Sequence, residues 1–197
     1  NPTGTGCDAA ELKRFVREQS EHTTVFIDEA YLQMADDFAE RTCAPLAIEG
    51  RNVVVARTFS KLYGMAGLRL GYAVMPEKLA VSLKARMTGS LSIVTIAAAT
   101  ASLNDPAFVT TTRARLKAGR DALVAEVRKL GCEYAVPQGN FVFFQTGMPV
   151  ADFIAKMRAA GVEVGRPFPP MLDWARISIG LPGEMEICHR ALRQVLA

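Results

Sequence analysis

A lysine just beyond an apolar, β-branched run is the first residue here whose setting suggests chemistry. Residues 52–57 read Asn-Val-Val-Val-Ala-Arg, a buried strand, and lead into Thr58-Phe59-Ser60-Lys61-Leu62-Tyr63-Gly64-Met65-Ala66-Gly67-Leu68-Arg69-Leu70-Gly71-Tyr72. A lysine at a strand end can point into a ligand crevice. Desolvation and cationic neighbours can then remove its charge and leave a nucleophilic amine. The hydroxyls of Thr58 and Ser60 and the guanidinium of Arg69 suit a phosphate. The plain alternative is a solvated surface lysine in a glycine-rich loop.

Three further pieces could join it. Phe26-Ile27-Asp28-Glu29-Ala30-Tyr31 places an aspartate at the end of an apolar strand, which is costly without a partner. A protonated pyridine nitrogen is one such partner: ionised Asp28 would keep the ring protonated and able to accept carbanion electrons. An ordinary strand-end or capping carboxylate is the other reading. Asn1-Pro2-Thr3-Gly4 is common loop chemistry, yet the Asn1 amide could donate to a phenolic oxygen on such a ring. Ala175-Arg176-Ile177-Ser178-Ile179-Gly180 offers an arginine at a strand start. It could take a carboxylate in a bidentate pair, or be a salt-bridged structural residue.

These residues need a frame. Residues 24–28, 52–57 and 70–75 read as strands alternating with helices, which predicts a parallel α/β sheet with crossover connections. Asp8 and Glu11 make a capping-box-like start to a helix over 8–20, with Leu12, Phe15 and Val16 on one face. Further helices are expected over 76–87, 92–103 and 106–130, the last keeping Leu116, Leu123, Val127 and Leu130 at helical spacing and stopping at Gly131. The character then changes. An aromatic strand over 140–145 follows the turn-like Pro137-Gln138-Gly139, and a helix over 150–160 ends at Gly161. Short strands follow over 162–164 and 176–179, and a closing helix over 184–196 turns Met185, Cys188, Leu192 and Val195 inward. The expected layout is a sheet-centred domain over 1–104, with few strands to stand alone, and a smaller α+β domain over 105–197.

Composition narrows the function. Half of the 197 residues are apolar, enough for a proper core. A net charge of +3, from 23 Lys+Arg against 20 Asp+Glu, with no basic run, is too mild to point to nucleic acid. No stretch reaches the roughly 18 apolar residues of a membrane-spanning helix. Cys7, Cys43, Cys132 and Cys188 are scattered without a C-x-x-C pair. They read as free, mostly buried thiols, not as a disulfide framework or a metal site.

In order and spacing the four pieces resemble the fold-type I, class I/II aminotransferases, most closely the histidinol-phosphate aminotransferase branch. That pattern joins an N-P-T-G loop, a D-E-A-Y strand end, an S-K-x-x-x-x-A-G-L-R-x-G lysine loop and a late R-x-S-x-G arginine, and this chain carries all four. One such motif is weak; four in order are specific. The resemblance implies an α/β, pyridoxal-phosphate-dependent transferase-like fold, a mostly parallel sheet with flanking helices plus a smaller α+β C-terminal domain. It implies pyridoxal 5'-phosphate as cofactor and transfer of an amino group between an amino acid and a 2-oxo acid in amino-acid biosynthesis. The donor would be histidinol phosphate, an aromatic amino acid or another. A homodimer is implied too; a cytoplasmic location and no nucleic-acid, membrane or metal partner are expected from the composition. Free thiols fit that compartment, though an upstream segment could carry an export signal. Carried over by residue, Lys61 holds the cofactor as a Schiff base and then moves the proton between the substrate α-carbon and cofactor C4′. Asp28 pairs with the pyridine nitrogen, and Tyr31 and Asn1 bond the ring oxygen. Thr58, Ser60 and Arg69 hold the phosphate. Arg176 takes the substrate α-carboxylate, and Asn140 faces the site.

The departures matter as well. The chain opens without Met, and the family's N-terminal part is expected to lie upstream, with its ring-stacking aromatic, the loop completing the phosphate cup and the arm reaching a partner subunit. Without these, the 197-residue chain alone is expected to bind cofactor weakly. Near the substrate end the branch often reads G-x-x-V-R, whereas Gly161-Val162-Glu163-Val164-Gly165-Arg166 has its arginine one place later. In a strand, that shift turns the side chain to the other face. The tail Gly180-Leu181-Pro182-Gly183-Glu184-Met185 also differs from the usual G-T-x-E-E-N. Both changes bear on the phosphorylated substrate, not on the cofactor. Decarboxylation, racemisation or β-elimination on the same fold, or a cofactor-binding regulator domain, are the alternatives to transamination.

Overall fold

Apolar alternation and β-branching set the first sheet. In the computed structural model, which describes residues 1–196, the chain divides into two compact units: Cys7–Arg113, and Asn1–Gly6 together with the chain from Ala114 onward. In the first, Asp8 caps α1 (Ala9–Gln19), its carboxylate accepting the Glu11 N–H at 2.8 Å. Strand β1 (Val25–Asp28) follows, then a 3-10 turn (Leu32–Met34) and two short helices, α2 (Phe38–Arg41) and α3 (Ala44–Ile48). Next come β2 (Val53–Thr58), a 3-10 turn (Ala66–Leu68), β3 (Gly71–Val74), α4 (Glu77–Lys84) and α5 (Ile93–Leu103). The sheet order is β1-β2-β3. Val53 and Val55 of β2 pack with Val16 of α1 and with Cys43, Ala44, Leu46 and Ala47 around α3.

β1 and β2 run parallel, with Asp28 opposite Ala56, but β3 runs antiparallel to β2. The third strand is therefore an antiparallel member of a sheet expected to be mostly parallel. A parallel neighbour needs a crossover, usually helical. The connection from Thr58 to Gly71 holds only the 3-10 turn and folds straight back, with the Phe59 N–H bonded to the Leu70 carbonyl at 3.1 Å.

Helix α6 (Pro106–Lys129) runs through the division between the units and ends at Gly131, whose φ of 73° is the left-handed stop. The second unit then forms β4 (Tyr134–Ala135), β5 (Phe141–Gln145), α7 (Val150–Ala159), β6 (Trp174–Ser178) and α8 (Pro182–Leu196). Its sheet, β4-β5-β6, is antiparallel throughout. Val142 and Phe144 of β5 and Ala175 and Ile177 of β6 meet Leu123 and Val127 of α6, Phe153 and Met157 of α7, and Cys188 and Leu192 of α8. Period-two alternation sends Phe141 and Phe143 to the other face, where Phe143 packs on Phe168 and Trp174 with ring centroids 5.9 and 5.0 Å away.

Residues 162–164 are not a strand, contrary to the sequence expectation. The Val162 N–H is bonded to the Met157 carbonyl at 2.9 Å, closing the end of α7, and Arg158 grips the Glu163 carboxylate through Nε at 2.8 Å. The first backbone donor of the segment is therefore spent on the helix end, not on a ladder. Among the described residues no helix is long and apolar enough to cross a membrane.

Candidate active site

Six of the expected residues lie where β1 and β2 end and in the loops that follow. Period two places Asp28 on the same side of β1 as Phe26, and both are exposed. The Asp28 carboxylate accepts the Ala30 N–H at 2.9 Å, which shapes the turn leading to Tyr31. Tyr31 heads the 3-10 turn, its carbonyl accepting the Met34 N–H at 3.1 Å. At the end of β2 the Thr58 hydroxyl accepts the Ser60 N–H at 3.0 Å, setting the bend that presents Lys61. The Lys61 ammonium is exposed and lies 4.8 Å from the centre of the Tyr31 ring. Two residues 30 positions apart in sequence thus meet in space.

The loop returns through Arg69, whose φ of 53° is left-handed, unusual for a residue with a side chain. Its guanidinium donates to the Ala66 carbonyl at 2.9 Å and is otherwise turned to the exposed side. Gly71 lets β3 approach β2: a Cβ there would lie 2.8 Å from the Arg57 carbonyl oxygen.

The other three expected residues belong to the second unit. Arg176 is the third residue of β6, opposite Phe143. Its Nη1 donates to Asn1 Oδ1 at 2.6 Å, and its guanidinium lies 4.8 Å from the Phe141 ring and 4.7 Å from Phe168. Its hydrogen-bond partner is thus an amide oxygen, not a carboxylate. With that oxygen occupied, the Asn1 amide keeps its NH2 as a donor. The Asn1 loop is seated by the Gln138 N–H bonding the Gly4 carbonyl at 2.8 Å. Gly4 has a φ of 72°, and a Cβ on it would come within 2.9 Å of the Phe141 ring. Asn140 is half-buried beside β5, its carbonyl accepting the Ile179 N–H at 2.8 Å. Arg166 is not governed by strand alternation, because its segment is irregular. Its guanidinium lies 4.6 Å from the Phe168 ring, the ring that Arg176 also covers.

Sequence reasoning missed Glu29 and Arg57. Glu29 is 1% exposed and bonds Thr42, Cys43 and Arg57. Burial pushes the Arg57 guanidinium down, but its hydrogen bonds with Tyr72 and Glu29 outweigh that and hold it above its usual range. Alternation could have revealed the pair: with Asp28 on the open face, Glu29 must turn inward and find a cation. Three of the four cysteines are poor rivals to the lysine as nucleophiles. Burial pushes the Cys188 thiol up to about 11, and raises Cys43 and Cys132 too. Cys188 also lines a cavity of about 210 Å³ with Glu163, Gly165, Arg176 and Ser178.

One amine, two hydroxyls, a guanidinium and a carboxylate collect at the strand ends of the first unit. That donor set fits a group carrying an aldehyde, a phosphate and a basic ring nitrogen, as pyridoxal phosphate does.

The fold and these residues define a class, and the chain belongs to the aminotransferase class I and II family, whose model matches residues 1–192. Histidinol-phosphate aminotransferase of Limosilactobacillus fermentum is 40% identical over 193 residues, covering 98% of this chain and 52% of that protein. The chain thus spans about half the length of the curated relatives it matches. A solved chain from Erwinia carotovora atroseptica superposes with a TM-score of 0.92 at 35% identity, covering 98% of this chain and 57% of that one. Histidinol-phosphate aminotransferase from Sinorhizobium meliloti, solved in complex with pyridoxal-5'-phosphate, superposes at 0.85 with 26% identity, over 100% of this chain and 55% of that one.

Proposed function

We propose that this chain supplies the cofactor-holding lysine and the substrate-carboxylate arginine of a pyridoxal-phosphate-dependent transaminase, which moves an amino group between an amino acid and a 2-oxo acid. The observation that carries the reading is the Lys61 ammonium 4.8 Å over the Tyr31 ring, at the ends of the strands that bear Asp28 and Thr58. When bound, the cofactor supplies an electron sink that makes the α-proton of an amino acid removable near neutral pH. Lys61 Nζ would hold the aldehyde, and as a free amine it would accept the proton from the substrate α-carbon. Asp28 keeps the ring nitrogen protonated, and Tyr31 and the Asn1 amide donate to the ring oxygen. Thr58, Ser60 and Arg69 bind the phosphate, Arg176 orients the substrate through its carboxylate, and Asn140 faces the bound pair.

The name shared by the relatives makes histidinol phosphate the first donor to test, and Arg166 beside Phe168 provides a second cation near Arg176. The working form is taken to be a homodimer in the cytoplasm, where free thiols stay reduced. The test is an absorption spectrum of the full-length protein, wild type against Lys61→Ala, with a panel of amino acids and 2-oxo acids. A visible cofactor band that one donor shifts and an acceptor restores, and that Lys61→Ala abolishes, supports the reading. A band indifferent to Lys61→Ala, or no band, overturns it. Turnover without an acceptor would make the reaction something other than transamination.

A further inference from the structure

Glu29 is a carboxylate buried to 1% exposure, next in sequence to the one assigned to the ring nitrogen, and the chemistry above gives it no task. Alternation sends it to the side of β1 opposite Asp28. There the Thr42 hydroxyl (2.9 and 3.0 Å to its two oxygens), the Cys43 N–H (2.7 Å), and Arg57 Nε and Nη2 (2.9 Å each) converge on it. Arg57 Nη2 also donates to the Thr42 hydroxyl at 2.7 Å, and the guanidinium lies 5.0 Å from the Phe38 ring centre. The Glu29 backbone is tied too. Its N–H bonds the Ala56 carbonyl at 2.9 Å, and its carbonyl accepts the Leu32 N–H at 3.1 Å as the turn behind Tyr31 begins.

A buried ion pair is a poor way to gain stability, since apolar residues of similar volume often serve as well or better. What this one provides is location. It clamps the end of β1 to the Thr42 segment on one side and to β2, one residue before Thr58, on the other. We propose that the Glu29–Arg57 pair is a positioning device for the cofactor face. Through Glu29 it fixes where Asp28 and Tyr31 stand, and through Arg57 it fixes the Thr58–Ser60–Lys61 bend. The inference rests on the cofactor-binding reading above, and neither residue touches the cofactor itself.

The test uses full-length protein stripped of cofactor and titrated with pyridoxal phosphate. It compares wild type, Glu29→Gln, Arg57→Lys and the double variant Glu29→Gln/Arg57→Met. Three quantities are read: the dissociation constant, the circular dichroism of the visible band, which reports ring orientation, and the melting temperature of the cofactor-free form. Glu29→Gln is expected to weaken cofactor binding about tenfold, equivalent to ~1.4 kcal/mol, to alter the dichroism, and to lower the melting temperature because the part-buried Arg57 loses its counter-charge. Arg57→Lys, which keeps charge but loses the fork, should move the first two in the same direction even if Glu29→Gln does not fold. The double variant should regain melting temperature without regaining affinity or dichroism. Recovery of all three together would show the pair to be structural only and overturn the proposal, as would unchanged affinity and dichroism in Arg57→Lys. Failure of the cofactor reading itself would show earlier and separately, as a wild-type band indifferent to Lys61→Ala, and would remove the proposal with it.

Discussion

The two units cover their apolar residues very differently. In the C-terminal one, Phe144, Phe153, Leu123, Met157 and Leu192 are all at 0% exposure, between an antiparallel sheet and three helices. In the other, Phe26 is 64% exposed, Val94 67%, and Ile93, at the start of α5, 82%. Exposed apolar residues this large and numerous mark a surface that ordinarily meets something else. Phe26 shares its side of β1 with Asp28, so the exposed side of that strand is also the side that carries the candidate chemistry. One region closes a core between its sheet and three helices, though Leu181 and Val136 stay exposed; the other leaves more of its large apolar side chains uncovered. The sharpest way to break this contrast is to separate the regions. A fragment from Pro106 onward, keeping α6 whole, should unfold in one cooperative transition in urea. A fragment of residues 7–105 should bind a hydrophobic dye and lack a cooperative transition. The reverse pattern would mean that exposure does not measure self-sufficiency here.

The same contrast explains what could be read from the sequence. Helices α1, α5 and α6 and strands β2 and β5 were legible because an apolar face or run was bounded by a cap, a glycine or a turn, as at Asp8 and Gly131. The short helices α2 and α3 were not, since four or five residues make too little periodicity to see. The direction of β3 was hidden because it depends on a fold-back in the 59–70 loop, not on the strand's composition. The residues of the candidate site stood out where a polar side chain ends an apolar run, as Asp28 and Lys61 do. Glu29 and Arg57 did not, because their partnership spans 28 residues and becomes visible only once β1 and β2 are laid in register.

Truncations sharpen the comparison next. Phe153→Ala, in the closed core against Phe144, should cost about 3–5 kcal/mol in urea unfolding. Phe26→Ala, equally large but exposed, should stay within about 0.5 kcal/mol. Comparable losses at both would show that Phe26 is covered in the working protein, which a hydrogen-exchange map of the full-length form would then locate. Two glycines offer a smaller test. At Gly71 an added methyl meets the Arg57 backbone carbonyl at 2.8 Å, which cannot yield without distorting the β2–β3 pairing. Gly71→Ala should therefore cost about 1–3 kcal/mol and loosen cofactor binding. At Gly119, within α6, the methyl meets Ile179 Cγ2 at 2.6 Å, a side-chain atom. There the gain of about 1 kcal/mol in helix propensity opposes the clash with a stiff, β-branched side chain, and Gly119→Ala should destabilise less than Gly71→Ala.

The smallest expected difference is in acid. Each unit has a carboxylate held below its ordinary range by an arginine: Asp37 by its hydrogen bond with Arg41 in the first, Glu126 by its hydrogen bond with Arg193 in the second. The Glu126 side chain is 9% exposed, whereas the Asp37 side chain is 35% exposed, so solvent screens the second-unit pair less on the carboxylate side. A depressed carboxylate stabilises the fold above its unfolded pKa, near 4.3 for glutamate, and that contribution is lost as pH falls through the lower folded value. Urea midpoints of wild type and Glu126→Gln should therefore differ at pH 7, keep that difference to about pH 5, and converge below about pH 4. The matching Asp37→Asn variant should show a smaller gap over the same window. If the Glu126→Gln gap persisted unchanged at pH 3, the glutamate would be stabilising the second unit by its packing and not by its charge, and the acid contrast between the two units would disappear.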